Sequence, residues 1–261
     1  MMDLENLSRS NVNSRSKNLS CLEIGPSNTP TLLGNNVEYF DVLTQQEIID
    51  RDEIFKWELP NYGTPYINYV DKTGNLSIIN KKYDIVFSSH CIEHQFSLID
   101  HLNQVHDLLK TNSYYIILCP DKRYCFDHFF PETNVAKVIE DFYIKRKKHS
   151  LRAFIQTRML ATHNDAHRHW AGDHGNYKDY GNDNMYDFKE LTKENIEKYQ
   201  NESNFVDCHN YQFTPDSFRE TISFLIKMEY INFEIVKVVE TEFNTNEFLV
   251  VLKKNNQFCW R

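Results

Sequence analysis

The stretch Tyr83–Arg123, YDIVFSSHCIEHQFSLIDHLNQVHDLLKTNSYYIILCPDKR, decides the fold. Tyr83 to Phe87 is near-continuously apolar, as strands buried on both faces of a parallel sheet are. Ile92, Phe96, Ile99, Leu102, Val105, Leu108 and Leu109 follow helical spacing, which predicts a helix from Ile92 to Leu109. Tyr114 to Cys119 is a second buried strand. Strand, helix, strand at this rhythm is a βαβ unit, hence a parallel sheet with right-handed crossovers. Polar residues, Ser88-Ser89-His90 and Asp121 to Arg123, fall where each strand stops, the edge at which open α/β sheets hold ligands.

The same rhythm extends outward. Upstream, a strand from Leu19 to Ile24 breaks at Gly25-Pro26-Ser27-Asn28-Thr29-Pro30, where glycine permits close backbone approach and proline fixes the loop. Val37 to Val42 is the next strand, with Asp41 near its end; Thr44 to Lys56 reads as a helix. Tyr66 to Val70 is a third strand, followed by the turn Asp71-Lys72-Thr73-Gly74. Downstream, helices are expected over Glu132–Lys147, Leu151–Ala161 and Glu190–Gln200, with a polar, histidine-rich segment from His163 to Asn184. So long an irregular stretch inside a domain is usually functional. Thr214-Pro215-Asp216 starts a helix to about Met228 that buries Phe218, Ile222, Leu225 and Ile226. Strands Phe233–Glu240 and Glu247–Lys253, joined through Asn244-Thr245-Asn246, suit a hairpin, so the last strand is expected to be antiparallel. The division that follows is a polar N-terminal tail (1–18), a core made of 19–123 and 214–254, and an insertion (124–213). The tail is either frayed or one short amphipathic helix.

Composition limits the function. The 261 residues are 41% hydrophobic and 25% charged, which is globular. A net charge of -8 argues against a nucleic-acid partner, since phosphate binding needs a basic surface. The basic run Lys145-Arg146-Lys147-Lys148 reads as a solvated helix end. Six cysteines show no CxxC pair, so reduced thiols in an intracellular, cytoplasmic protein are expected, without structural zinc. No apolar run approaches the roughly 18 residues of a membrane span.

Leu22-Glu23-Ile24-Gly25-Pro26-Ser27, Asp41, and Tyr83-Asp84-Ile85-Val86 through Glu93-His94 resemble the motifs of class I S-adenosylmethionine-dependent methyltransferases. A narrower resemblance rests on Pro120 to His128, His163-Asn164-Asp165, His169 to Gly175, Asp207-Cys208-His209 and Phe213-Thr214-Pro215. It is to methyltransferases found with surface-polysaccharide (capsule or lipopolysaccharide) genes. The resemblance implies an α/β, Rossmann-like, seven-stranded, mostly parallel sheet with an antiparallel last strand and an insertion after the fifth. It also implies S-adenosylmethionine as cofactor and a small-molecule acceptor, with O-methylation of a sugar or of a nucleotide-linked, phosphorylated or phosphoramidate-type polysaccharide precursor. The chain departs from the pattern after Gly25, where Pro26, Ser27 and Asn28 replace the usual further glycines. That weakens a dinucleotide reading, since no pyrophosphate needs cradling there.

Methyl transfer from a sulfonium requires a positioned nucleophile and a base. Cofactor-binding candidates are Glu23, Gly25, Pro26, Asp41, Asp71, Ser88, Ser89 and His90. His90 is the first candidate base, because an imidazole titrates near working pH; His169 and His163 follow. Of Glu93 and His94, one is expected to face the pocket and the other to pack. Substrate-binding candidates are His94, Asp121, Arg123, Tyr124, His174 and His209; Arg123 suits a phosphate or a structural salt bridge. The cluster His163, Asp165, His167, His169, Asp173 and His174 carries metal-ligand types without HExxH spacing, so it reads as a substrate loop and no metal is expected. A metal-dependent methyltransferase or hydrolase using that cluster, and a non-catalytic protein that keeps the fold, remain alternatives.

Overall fold

In the computed structural model, residues 4–55, 63–176, 191–201 and 208–255 are described. Part of the histidine-rich segment (177–184), Glu190 and Asp207 lie outside them. Seven strands form one sheet in the order β3-β2-β1-β4-β5-β7-β6. They are β1 (Cys21–Ile24), β2 (Val37–Asp41), β3 (Tyr69–Val70), β4 (Tyr83–Ser89), β5 (Leu109–Pro120), β6 (Phe233–Val239) and β7 (Glu247–Lys254). The pairs β1–β2, β1–β4, β2–β3 and β4–β5 are parallel, while β7 lies antiparallel between β5 and β6. This is the sheet that the sequence predicts.

Alternation along the strands splits the core in two. Tyr115, Ile117, Cys119, Phe248, Val250 and Leu252 join one cluster, whereas Tyr114, Ile116, Leu118, Leu249 and Val251 join the other. Helices α3 (Leu98–Leu108), α4 (Val135–Ile144) and α8 (Pro215–Lys227) cover the first face. The second is covered by α1 (Arg9–Ser16) and α2 (Gln45–Phe55), through Val12 and Ile48. The N-terminal segment is therefore a helix packed on the sheet. Thr214 caps α8, accepting from the Ser217 amide with Pro215 in the first turn, as its sequence foretold.

One expected element is corrected. The helical spacing from Ile92 does not form one helix: Ile92–His94 is a 3-10 turn, and Ser97 caps α3, accepting from the Asp100 amide. The cause is tertiary. The amides of Asn210 and Tyr211 both donate to the Glu93 carbonyl (2.8 and 3.1 Å), which diverts that acceptor from a helix. Three boundaries also move. Only Tyr69 and Val70 pair as β3. Helix α4 is shorter than its pattern, because Asn134 caps it and Lys145, at φ +52°, ends it. Helix α4 also packs into the core, although it lies in the expected insertion.

The insertion leaves and rejoins the core at one place, a parallel bridge between Asp121 and Phe213. It contains α5 (Leu151–Leu160), the single turn α6 (Ala166–Trp170) and α7 (Lys193–Asn201). Trp170 docks it on the β6–β7 connection, donating from Nε1 to the Thr245 carbonyl at 2.8 Å. The five described cysteines are free thiols. Among the described residues, no helix is long and apolar enough to cross a membrane.

Candidate active site

A cavity of about 360 Å³ opens where β1, β2 and β4 end, a size ordinary for a small-molecule site. It lies at the point where strand order reverses between β1 and β4, the switch point at which open α/β sheets bind ligands. Its wall includes Gly25 and Ser27 after β1, Asp41 at the end of β2, Thr73 and Gly74 after β3, and His90, Cys91, His94 and Phe96 after β4. Gly25 is needed there twice over: its φ is +68°, and an added Cβ would stand 3.3 Å from Cys91 Sγ. The Asp41 side chain accepts from the Leu43 amide, and burial raises its carboxyl above the usual range.

The other cofactor candidates sit around the cavity without lining it. The Glu23 carboxylate accepts from the Thr31 and Leu32 amides (2.9 and 2.8 Å), so it holds the loop after β1; burial pushes its carboxyl up to about 7. Pro26 is buried in that loop. Asp71 accepts from the Thr73 and Asn75 amides and shapes the turn that carries Thr73 and Gly74 to the cavity. Ser88 Oγ points inward to the Tyr115 hydroxyl (2.8 Å), which is also bonded to His101. Ser89 Oγ accepts from Arg9 Nη2 at 2.6 Å.

His90 has a backbone φ of +47°, a left-handed conformation that costs a non-glycine residue about 1–3 kcal/mol. Its Nε2 lies 2.8 Å from Glu247 Oε2, and Arg9 grips the same carboxylate with Nε and Nη2, each at 2.6 Å. Burial opposes ionisation of Glu247, but hydrogen bonds from Arg9 and His90 outweigh it and hold the carboxyl at about 2. Neither partner was read from the sequence. A signal existed for Glu247: it opens the antiparallel strand, so it lies opposite Pro120 on the edge where the parallel strands end. Nothing in the polar N-terminal segment pointed to Arg9.

Behind the cavity wall lies a buried polar network. His94 lines the cavity, while Glu93 is wholly buried. Glu93 Oε1 stands 3.4 Å from His94 Nε2 and 3.7 Å from His209 Nε2, and neither Glu93 oxygen has a hydrogen-bond partner. His209 Nδ1 bonds Asp127 Oδ2 at 2.6 Å, and both residues are buried. Asp127 was not singled out in the sequence.

The remaining candidates are spread over the insertion and its junction. Asp121, fully buried, takes the Arg123 guanidinium bidentately and also accepts from Thr241 Oγ1, so Arg123 forms a salt bridge, one of its two expected roles, while its side chain stays partly exposed. The Tyr124 ring stacks on Trp170, centroids 3.9 Å apart and 6° from parallel. His169 is buried; its Nδ1 lies 3.1 Å from His174 Nδ1, and its Nε2 lies 3.1 Å from the His163 carbonyl. His174 stacks on His128, whose Nδ1 bonds the Arg123 carbonyl. Burial lowers all three imidazoles, His169 to about 4. His163 bonds the Asp173 carbonyl through Nε2. None of His163, His169 and His174 lines the cavity.

No family model and no curated protein matches this sequence. Solved structures do resemble it. A S-adenosylmethionine-dependent methyltransferase from Clostridium acetobutylicum ATCC 824 superposes over 97% of this chain and 94% of its own, with 10% identity and a TM-score of 0.44. One from Mesorhizobium loti covers 91% of this chain and 92% of its own, with 11% identity and a TM-score of 0.41. The magnesium protoporphyrin IX methyltransferase of Synechocystis PCC 6803, with bound SAH, covers 95% and 82%, with 10% identity and a TM-score of 0.40.

Proposed function

We propose that the chain is a S-adenosylmethionine-dependent methyltransferase whose acceptor is a hydroxyl of a sugar or of a phosphorylated, phosphoramidate-type precursor of a surface polysaccharide. The observation that carries the cofactor is the cavity at the β1–β4 switch point, with Gly25 and Asp41 on its wall. The residues fit the group: Gly25 leaves room for close backbone approach, and a carboxylate at the end of β2 suits ribose hydroxyls. Bound there, the cofactor supplies a sulfonium-activated methyl group.

The chain's own part is to hold the acceptor, exclude water and accept a proton. His90 lines the cavity, and Glu247, itself fixed by Arg9, holds its Nε2. Nδ1 is then the nitrogen that would accept the proton of an acceptor hydroxyl held in the cavity. Support for the acceptor class comes from the motif resemblance and from the aromatic, histidine-bearing insertion beside the site.

Calorimetric titration with S-adenosylhomocysteine tests the reading. Saturable binding is expected, weakened about 10–100-fold in Asp41→Ala, the worth of a hydrogen bond to a charged group. Absence of saturable binding to the wild-type protein sinks it.

A further inference from the structure

We propose that Glu93, His94 and His209 bind a first-row divalent transition-metal cation at the cavity wall, with Asp127 orienting His209. The three donors lie within 4.8 Å of one another. Glu93 Oε1 is 3.4 Å from His94 Nε2 and 3.7 Å from His209 Nε2. Donors at about 2.0–2.2 Å from a tetrahedral zinc ion stand about 3.3–3.5 Å apart. The trio is therefore spaced as ligands are before an ion draws them in.

Charge gives an independent reason. Glu93 is wholly buried and neither of its oxygens is in a well-formed hydrogen bond, its nearest partners being the His94 and His209 imidazoles at 3.4 and 3.7 Å, an arrangement open to a cation. Asp127 Oδ2 holds His209 Nδ1 at 2.6 Å, so the ring's other nitrogen, Nε2, is the one turned toward Glu93 Oε1. A carboxylate fixing the far nitrogen of an imidazole is also how metal-bound histidines are held.

Chemistry narrows the ion. Two imidazoles and one carboxylate suit zinc, iron, cobalt or manganese better than calcium or magnesium, which take oxygen, or copper(I), which takes sulfur. The ligands come from two distant segments, the turn after β4 and the chain where the insertion returns. The Asn210 and Tyr211 amides bond the Glu93 carbonyl and fix the two segments together. No local motif announces such a site, which is why the sequence shows no metal spacing.

A role follows that rests on the methyltransferase reading. Three protein ligands would leave a coordination position open, and His94 is the ligand among them that lines the cavity. An acceptor hydroxyl bound there would be more acidic and held for attack, its proton passing to His90 as the oxygen joins the methyl carbon and the sulfur leaves with the bonding pair.

The test uses the full chain, stripped with a chelator and titrated with Co²⁺, whose visible bands report nitrogen and oxygen ligation. One saturable Co²⁺ per chain, displaced by Zn²⁺, is expected. Glu93→Gln should abolish it, Asp127→Asn should weaken it 10–100-fold, and His169→Ala should leave it unchanged. Circular dichroism confirms that each variant folds, and Glu93→Gln and Asp127→Asn keep the test decisive should His209→Ala not fold. No saturable Co²⁺, Co²⁺ binding unaffected by Glu93→Gln, or its loss in His169→Ala would overturn the site. S-adenosylhomocysteine titration in excess chelator separates the two readings. Cofactor binding without Co²⁺ binding overturns the metal site alone; Co²⁺ binding without cofactor binding overturns the methyltransferase reading alone.

Discussion

Two clusters of histidines stand beside the sheet edge, and they differ in one respect that decides their chemistry. In the insertion, His169 bonds His174 and the His163 carbonyl, while His128 bonds the Arg123 carbonyl and stacks on His174, with no carboxylate as a member of the group. Burial lowers all three imidazoles, so the group is neutral near pH 7. Behind the cavity, His94 and His209 flank a wholly buried carboxylate at ion-pair distance, with no well-formed hydrogen bond to it. The sequence drew attention to the segment from His163 to His174, which supplies two of these rings, because its histidines are close together in the chain; His128 was not among them. The first group is neutral rings alone, whereas the second brings a buried carboxylate together with imidazoles, the donor set a divalent cation takes.

That contrast can be broken most directly at His209. In metal-free protein, His209→Ala leaves Asp127 and Glu93 buried without their imidazole, and a loss of about 3–5 kcal/mol is expected from urea denaturation. His169→Ala removes only neutral hydrogen bonds and should cost about 1–2 kcal/mol. Equal losses would erase the distinction.

A smaller effect of the same sign is expected at Glu93. Burial opposes its ionisation, but the neighbouring His94 and His209 imidazoles hold its carboxyl below the usual range, so Glu93→Gln should cost the chelator-treated protein about 1–3 kcal/mol near pH 7. Were that variant more stable than wild type without metal, the imidazoles would not be holding the carboxylate.

The smallest effect is a pH dependence in the insertion. His169 has its folded pKa depressed from 6.5 to about 4, by burial and by the neighbouring His163, His128 and His174. A group depressed on folding takes up a proton on unfolding, so its contribution is complete above pH 6.5 and is lost as pH falls toward 4. The fluorescence of Trp170, the next residue in the chain, should report loosening across that window, and His169→Gln should remove this component. A profile unchanged by the substitution would show that His169 does not gate the insertion.

Much of the fold was legible in the sequence. Near-continuous apolar runs at Tyr83 to Phe87 and Tyr114 to Cys119, with an amphipathic run between them, leave few arrangements other than a parallel pair with a helix across it. The hydroxyl cap and proline at Thr214-Pro215 marked a helix start for the same local reason. Gly25, Asp41, His90 and His94 were also legible as pocket residues, because strand ends in such a sheet share one edge. Local pattern failed at Ile92 to Phe96, where helical spacing gave way to hydrogen bonds from Asn210 and Tyr211.

What the sequence determined by itself was the order of strands and helices and the edge at which side chains gather, since both follow from periodicity along a short stretch of chain. Only the tertiary structure decided which of those side chains meet. Arg9 meets Glu247 from the opposite end of the chain and Glu247 holds His90, while Asp127 and His209, from the two arms of the insertion, bond each other with His209 facing Glu93. Such pairings depend on where the chain returns. Charge and burial reward them only after folding, so they leave no period in the sequence.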